Sequence, residues 1–185
     1  MFPVQHFGQE DGLFDEKCYD IIQDSNGFIW LATNSGIIKY DGETFTNFTN
    51  KEGLRRFRAF AMVEAQNGDF WCGTIGAGVY RFDRKAWRNF TSDDGLINDK
   101  VQCVYEDKKG DIWFGTQGGI SRWDGQKFHN ITIEDGLCGN DINSIIEDKN
   151  GNYWITTRGS SCIYDGNEFT ILTNENHTFQ NIRCL

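Results

Sequence analysis

The chain has 185 residues, of which 38% are hydrophobic and 15% aromatic, so it can bury a core without structural metals. Its 27 acidic residues outnumber the 18 basic ones, and the net charge of -9 repels a phosphate backbone. This balance excludes nucleic acid as an expected partner, and 21 glycines beside one proline favour many tight turns over long helices.

The first residues of the chain do not have the pattern of a signal peptide. No basic segment precedes an apolar one between Met1 and Glu10, and no run of about 18 apolar residues occurs in the sequence. We therefore expect no membrane contact by this chain.

A repeat runs through the sequence. A tryptophan recurs at intervals of 41, 42 and 41 residues, and a glycine, a threonine and an aspartate keep nearly the same spacing around it. The four sets are Gly27, Trp30, Thr33 and Asp41; Gly68, Trp71, Thr74 and Asp83; Gly110, Trp113, Thr116 and Asp124; and Gly151, Trp154, Thr157 and Asp165. One extra residue in Ile75–Val79 is expected at a turn, because inside a strand it would reverse every side chain.

Each repeat contains four short apolar segments separated by turn signals. In the third repeat these segments are Lys100–Asp107, Asp111–Thr116, Gly119–Asp124 and Lys127–Thr132. Pairs such as Asn-Gly, Lys-Gly and Asp-Gly between the segments supply the left-handed positions that tight hairpins need. Four antiparallel strands in a repeat of this length correspond to one blade of a β-propeller, an all-β fold.

In chain order, a single β-propeller domain is predicted over 1-185, with blades at approximately 14-49, 55-91, 97-132 and 138-173. Residues 1-10, with the segment Pro3–Gly8, match the outer strand of a preceding blade, and residues 179-185 match the inner strand of a following one. The first and fourth strands of a blade are not neighbours, so these two terminal strands cannot form a fifth blade together. We therefore expect an arc or fragment of a larger propeller, whose open ends favour a homo-oligomer, most simply a dimer that closes the propeller.

The tryptophans and the cysteines have structural interpretations. Trp30, Trp71, Trp113 and Trp154 fit the second strand of each blade, where a large ring fills the wedge between neighbouring blades. The six cysteines contain no C-x-x-C pair, and most fit buried thiols that pack as small apolar groups. An occasional disulfide is the alternative, and the sequence predicts no pairing.

The third repeat resembles the two-component regulator propeller repeat. The phrases that carry the resemblance are Asp94-Gly95-Leu96 and Glu106-Asp107-x-x-Gly110-x-Ile112-Trp113-Phe114-Gly115-Thr116-x-x-Gly119-Ile120-x-Arg122-Trp123-Asp124-Gly125. The resemblance implies the sensor domain of a hybrid histidine kinase or related bacterial receptor, in a periplasmic or other extracytoplasmic location. The second repeat departs from the pattern at Glu52, Ala65 and Arg84, and the fourth has Ser160 and Ser161 in place of a turn glycine.

The acidic residues allow two alternatives to a structural role. The turns that begin at Asp24, Asp107 and Asp148 resemble fragments of a calcium loop, but the full loop spacing is absent and an aspartate that caps a hairpin turn accounts for them. Paired carboxylates for glycoside cleavage are defined by their separation in space, so a propeller carbohydrate-active enzyme of the hydrolase or lyase type stays open as an alternative. We expect no metal, no cofactor and no enzymatic activity.

Positions that vary between repeats at one face of the ring are the candidate ligand-binding residues. In a propeller this face is built by the turns between the second and third strands and by the connections between blades. The predicted residues are Asn34, Arg55, Arg56, Arg58, Asn98, Lys100, Gln117, Asn140 and Arg158. The arginines concentrate positive charge on an acidic chain, which fits a carboxylate, a sugar acid or an acidic partner; a solubilising loop is the alternative.

Together these features favour a non-catalytic module that senses a ligand or binds a protein. The expected ligand is a small molecule or a glycan, and its binding would shift the arrangement of blades or of a dimer. A free-standing scaffold fragment is a further alternative to the enzyme named above.

Overall fold

The computed structural model describes residues 6–15, 17–48, 57–174 and 177–178. In these residues, sixteen strands form four antiparallel four-stranded sheets in which neighbouring strands follow chain order. Blade 1 contains β1 (Cys18–Gln23), β2 (Ile29–Thr33), β3 (Gly36–Tyr40) and β4 (Phe45–Asn47), and blade 2 contains β5 (Ala59–Glu64), β6 (Phe70–Thr74), β7 (Val79–Phe82) and β8 (Trp87–Phe90). Blade 3 contains β9 (Val101–Glu106), β10 (Ile112–Thr116), β11 (Gly119–Trp123) and β12 (Phe128–Ile131), and blade 4 contains β13 (Ile142–Glu147), β14 (Tyr153–Thr157), β15 (Ser161–Tyr164) and β16 (Phe169–Ile171). The predicted all-β propeller fold is confirmed.

Short 3-10 helices lie in three of the segments that lead into a blade. They are Gln9–Asp11, Ser92–Asp94 and Ile133–Asp135. In the described part of the predicted range 1-10, residues 6–8 are not in a strand and the first 3-10 helix follows them. Residues 1–5 lie outside the described residues, as does the inner strand predicted at 179-185. A ribbon of β17 (Thr173–Asn174) and β18 (His177–Thr178) follows blade 4. No helix in the described part of the chain is long and apolar enough to cross a membrane.

An aspartate closes the turn between the first two strands of a blade. In blade 3, Asp107 Oδ1 accepts hydrogen bonds from the backbone N–H groups of Lys109 and Asp111, at 2.9 and 3.0 Å. Its Oδ2 accepts one from Trp113 Nε1 at 2.8 Å. The same carboxylate-to-indole bond recurs as Asp24–Trp30 at 2.9 Å and as Asp148–Trp154 at 3.2 Å. Each of these aspartates thus caps a turn and orients a ring, which accounts for the acidic turns noted in the sequence.

These turn carboxylates make folding stability depend on pH. Burial favours the neutral form of Asp24 and Asp107, but the hydrogen bonds from Trp30, Trp113 and the turn backbone outweigh it, and the pKa of each carboxyl is lowered. In Asp148 the bonds from the Asn152 backbone N–H and the Trp154 indole lower the pKa to about 2. A carboxyl whose pKa is lower in the folded state than in the unfolded state stabilises the fold at pH values above the unfolded pKa, which is about 3.9.

We therefore expect acidification to lower the melting temperature of the chain. The loss of stability should begin at about pH 4, the pKa of the carboxyl in the unfolded chain, and continue toward the folded-state pKa values as each carboxylate is protonated. Thermal unfolding followed by circular dichroism across this interval measures the effect. A melting temperature that stays constant or rises as the pH falls would show that these hydrogen bonds do not stabilise the fold.

The tryptophans of the first three blades lie between neighbouring sheets. Trp30, Trp71 and Trp113 are each 1% exposed. Each ring contacts an aromatic ring of the next blade, with centroids 4.6 Å apart for Trp30–Phe70, 5.4 Å for Trp71–Phe114 and 4.3 Å for Trp113–Tyr153. The fourth, Trp154, is half-buried, and no fifth four-stranded sheet follows blade 4 in the described residues.

Two glycines allow the inner strand of one blade to pack closely on the preceding blade. A Cβ added to Gly73 would lie 2.6 Å from Val101 Cγ1, and one added to Gly115 would lie 2.6 Å from Ile142 Cγ2. These distances are too short for a side chain at either position, so the glycines set how closely successive blades approach.

The four blades form an open arc. The inner strands contact one another in the order β1, β5, β9 and β13. At the start of the arc, Cys18 is exposed and Ile21 is 62% exposed. The residues at the position of Cys18 in the later blades are 0% exposed; they are Ala59, Val101 and Ile142. The first face of blade 1 therefore presents apolar side chains that blades 2 to 4 cover with the preceding sheet.

The described cysteines fall into three groups. Cys138 and Cys162 form a disulfide with Cα atoms 5.9 Å apart, which ties the segment before blade 4 to β15. Cys72 is fully buried, and burial raises the pKa of the Cys103 thiol to about 12, so these two fit apolar packing. Cys18 is exposed, and Cys184 lies outside the described residues.

Candidate functional site

A threonine at the end of each second strand builds the turn that carries part of the candidate face. Thr116 Oγ1 donates to the Gly119 carbonyl at 2.8 Å and accepts from the Gly118 N–H at 3.0 Å. Thr33 and Thr157 make the corresponding donations to Gly36 and Ser160, both at 2.9 Å. Because the threonine satisfies the turn from within, the residues between it and the third strand need not repeat.

Each of these turns is bonded to the connection that leads into the same blade. The N–H of Asn34 donates to the Lys17 carbonyl at 3.3 Å, that of Gln117 to Lys100 at 3.1 Å and that of Arg158 to Asp141 at 2.9 Å. The turns and the connections lie at the same end of the strands. The structure therefore places the described candidate residues along one edge of the arc.

Side chains and backbone groups also link this edge from one blade to the next. Arg58 Nε donates to Asn34 Oδ1 at 3.0 Å, between blades 2 and 1. The carbonyl of Asp99 accepts from Gly76 and Gly78 at 2.9 and 3.0 Å, between blades 3 and 2. Gln102 Nε2 donates to Asp141 Oδ1, between blades 3 and 4. The edge is thus a continuous polar row across all four blades.

Several candidate residues have local structural roles in this row. Asn98 Oδ1 accepts from the Lys100 N–H at 2.9 Å, and Asn140 Oδ1 accepts from the Ile133 N–H at 3.0 Å. Arg158 Nη1 lies 3.9 Å from Asp141 Oδ2, with its side chain 81% exposed. Arg55 and Arg56 lie outside the described residues.

One cluster in the row combines an exposed cation with an exposed ring. The Arg58 guanidinium lies over the Tyr19 ring, 5.9 Å from its centroid, and Tyr19 in turn contacts the Phe60 ring at 5.3 Å. Beside them, Ser35 Oγ donates to Asp15 Oδ2 at 2.6 Å. A flat ring with a fixed guanidinium is suited to a ligand that has both an apolar surface and a carboxylate or hydroxyl groups.

Asp20 also belongs to this junction, and sequence reasoning missed it. Its Oδ2 accepts from the Met62 N–H at 2.8 Å and so joins blade 1 to blade 2. Burial raises the pKa of this carboxyl, although backbone N–H groups of Met62 and Ile21 oppose the shift. The available signal was its place in an inner strand, where the other three repeats carry Ala61, Cys103 and Ser144.

His129 does not belong to the polar row. His129 lies on the outer strand β12, where its Nε2 is 2.6 Å from Asp124 Oδ2. His6 precedes the first 3-10 helix. Within the described residues, no group of three or more His, Cys, Asp or Glu side chains is arranged to hold a metal ion.

The family model of the two component regulator propeller matches residues 12–35, 95–118 and 136–159. These three segments lie in blades 1, 3 and 4, and each includes a capped turn, its tryptophan and the following turn. A comparison with curated proteins gives no match for this chain.

Solved structures with the same fold include extracellular domains of two component systems and a lyase. Two extracellular domains of putative hybrid two component systems from B. thetaiotaomicron are similar at TM-scores of 0.72 and 0.73, with 22% and 23% identity over 85% and 92% of this chain. Virginiamycin B lyase from Staphylococcus aureus is similar at a TM-score of 0.68, with 17% identity over 86% of this chain and 56% of its own. This chain spans only 24% and 23% of the two extracellular domains. At these identities the likeness shows the fold alone.

Proposed function

We propose that this chain, which is built from two component regulator propeller repeats, is a non-catalytic module that senses a ligand or binds a protein partner. The observation that carries the proposal is the polar row: a constant frame of capped turns and threonines holds side chains that differ from blade to blade. Such a division between repeated frame and variable edge is typical of repeat proteins that bind along an extended surface.

The junction of blades 1 and 2 is the proposed centre of recognition. It offers the Arg58 guanidinium, the Tyr19 ring and the Asn34 amide within one cluster. These groups favour a glycan fragment or a small organic acid, because a ring face packs on tyrosine and an oxygen accepts from arginine. The similarity to extracellular domains of two component systems supports a sensory role.

A binding screen with matched arginine variants tests this proposal. We expect at least one member of a panel of oligosaccharides and organic acids to raise the melting temperature of the chain, and Arg58→Ala to weaken that binding by roughly tenfold, as for a lost charge-assisted hydrogen bond. Arg88→Ala, which removes an exposed arginine from the outer strand of blade 2, should leave binding unchanged.

Two results would contradict the proposal in different ways. Unaltered binding by Arg58→Ala would place recognition away from the blade 1 and blade 2 junction. Turnover of a panel compound that disappears when one carboxylate is changed would show an enzyme instead. The stability of Arg58→Ala should stay within about 0.5 kcal/mol of the parent chain, since the side chain is exposed.

We further propose that the exposed face of blade 1 packs against another blade. Cys18 and Ile21 are exposed there, and Ile21 is 62% exposed. When the chain is studied in isolation, the partner for this face is a second copy of the chain. A contact around a twofold axis would cover the face on both copies. Ligand binding near the blade 1 and blade 2 junction would then act on this contact through β1.

A further inference from the structure

A cleft opens between blades 3 and 4 at the edge of the arc opposite to the polar row. Its volume is about 280 Å³, and its lining includes Lys109, Arg122, His129, Ile131, Tyr164 and Gly166. Lys109 and Gly166 belong to turns at the far ends of the strands from the Thr116 and Thr157 turns. The cleft is therefore separate from the junction of blades 1 and 2.

A smaller side chain on the last strand of blade 3 helps to create this space. Ile131 pairs with Ile120 in the place where Phe90 pairs with Val79 in blade 2. Phe90 is 1% exposed and fills the gap between blades 2 and 3, with its ring centroid 5.8 Å from that of Trp71 and 5.1 Å from that of Trp123. An isoleucine leaves the volume of that ring open.

A glycine on blade 4 also keeps the cleft open. In blade 2 the corresponding turn position holds Arg84, which contacts Asp24 Oδ2 of blade 1 at 3.1 Å and also Glu64 Oε1 of its own blade. Arg84 has a φ of 69°, and it is the one non-glycine residue with positive φ among the described residues. Gly166 has a φ of 99°, and a Cβ there would meet nothing within 4 Å. The space that Arg84 fills between blades 1 and 2 is thus unfilled between blades 3 and 4.

Fixed aromatic rings form the wall of the cleft. Tyr153 packs on Trp113 with centroids 4.3 Å apart, and its hydroxyl donates to Asp107 Oδ2 at 2.8 Å. Tyr164 stacks on Phe169 at 4.4 Å with an interplanar angle of 18°, and its hydroxyl donates to the Gly166 carbonyl at 2.8 Å. Because packing and hydrogen bonds hold these rings, the wall needs little ordering when a ligand binds.

Nitrogen donors lie along the rim. Arg122 Nη1 is 3.1 Å from Asp111 Oδ2, which holds a guanidinium with five N–H donors beside the cleft. His129 is held by Asp124, and the exposed Lys109 lies in the turn that Asp107 caps. The side chains that line the space thus include aromatic and aliphatic groups together with cations and hydrogen-bond donors.

We propose that this cleft binds a small carboxylate carried on a six-membered ring. The ring lies against Tyr164 and Ile131, in the space that an aromatic side chain takes between blades 2 and 3. The carboxylate accepts hydrogen bonds from Arg122 and attracts the Lys109 ammonium. An aromatic acid and a sugar acid share this chemistry, and the experiment distinguishes them.

Titrations of the full chain followed by the indole N–H signals in NMR spectra test the inference. The probes are benzoate and glucuronate, with benzyl alcohol and glucose as uncharged counterparts. We expect the Trp113 signal to shift saturably with at least one of the two anions, while the Trp30 and Trp71 signals stay in place. A response to benzoate alone assigns an aromatic acid, and a response to glucuronate alone assigns a sugar acid.

Two variants and one control locate the binding. Ile131→Phe should abolish the shift by filling the cleft, and Lys109→Ala should weaken binding roughly two- to fivefold, as for loss of one exposed ion pair. Lys149→Ala removes the same charge from an exposed turn position of blade 4 and should leave the affinity for the anion unchanged. The inference is overturned if neither anion shifts Trp113, if the uncharged compounds bind equally well, or if folded Lys109→Ala and Lys149→Ala bind alike.

Discussion

Replacement of Trp113 by alanine is expected to lower the free energy of unfolding by about 3–5 kcal/mol, the usual cost of removing a large buried aromatic side chain. Trp113 is 1% exposed and packs on Tyr153 of the next blade. The substitution removes the ring from the wedge between blades 3 and 4, which the surrounding strands cannot close. Urea unfolding of the variant and of the parent chain measures the difference.

The matched control for this substitution is Trp154→Ala. Trp154 holds the same position in blade 4 but is only half-buried. We expect a clearly smaller loss than for Trp113→Ala. Equal losses would mean that the rings stabilise their own blades and that packing between blades contributes little.

Replacement of Asp107 by alanine is expected to cost about 3 kcal/mol or more, because it leaves several buried donors without an acceptor. Asp107 is 1% exposed, and its oxygens accept from Trp113 Nε1, the Tyr153 hydroxyl and two backbone N–H groups. Its loss therefore affects the turn, the tryptophan and the contact with blade 4 together.

Asp148→Ala is the control for Asp107→Ala. Asp148 caps the corresponding turn of blade 4 and bonds Trp154 at 3.2 Å, but it lies on the more exposed side of the arc. Chemical denaturation should show a smaller loss for this variant. If the Asp107 variant unfolds at the same denaturant concentration as the parent chain, the capped turn is not a stabilising element.

The repeat spacing carries most of the information about the fold. The intervals between tryptophans define the blades, and turn residues between apolar segments define their strands. The extra residue in blade 2 lies, as expected, in the turn between β6 and β7, where Gly76 and Gly78 have φ values of 99° and 72°. These features follow from turn chemistry within each repeat and from the comparison of the four repeats, so the sequence is sufficient to predict them.

Contacts between different repeats could not be predicted from the sequence. The bond between Arg58 and Asn34, the bond from Met62 to Asp20 and the Cys138–Cys162 disulfide depend on how strands distant in the sequence approach one another. The sequence does show Ile131 where the first two repeats carry Phe48 and Phe90, and Gly166 where the second repeat carries Arg84. That Ile131 and Gly166 border the same cleft follows only from the packing of blade 4 on blade 3.

We propose that the chain forms an open arc whose blade 1 face is covered by a second copy of the chain. Light scattering on the isolated chain at tens of micromolar tests it directly. We predict a dimer that Ile21→Asp converts to a monomer, because this substitution places a charge on the exposed apolar face. A clean monomer of the parent chain would contradict the claim and show that the blade 1 face needs no partner.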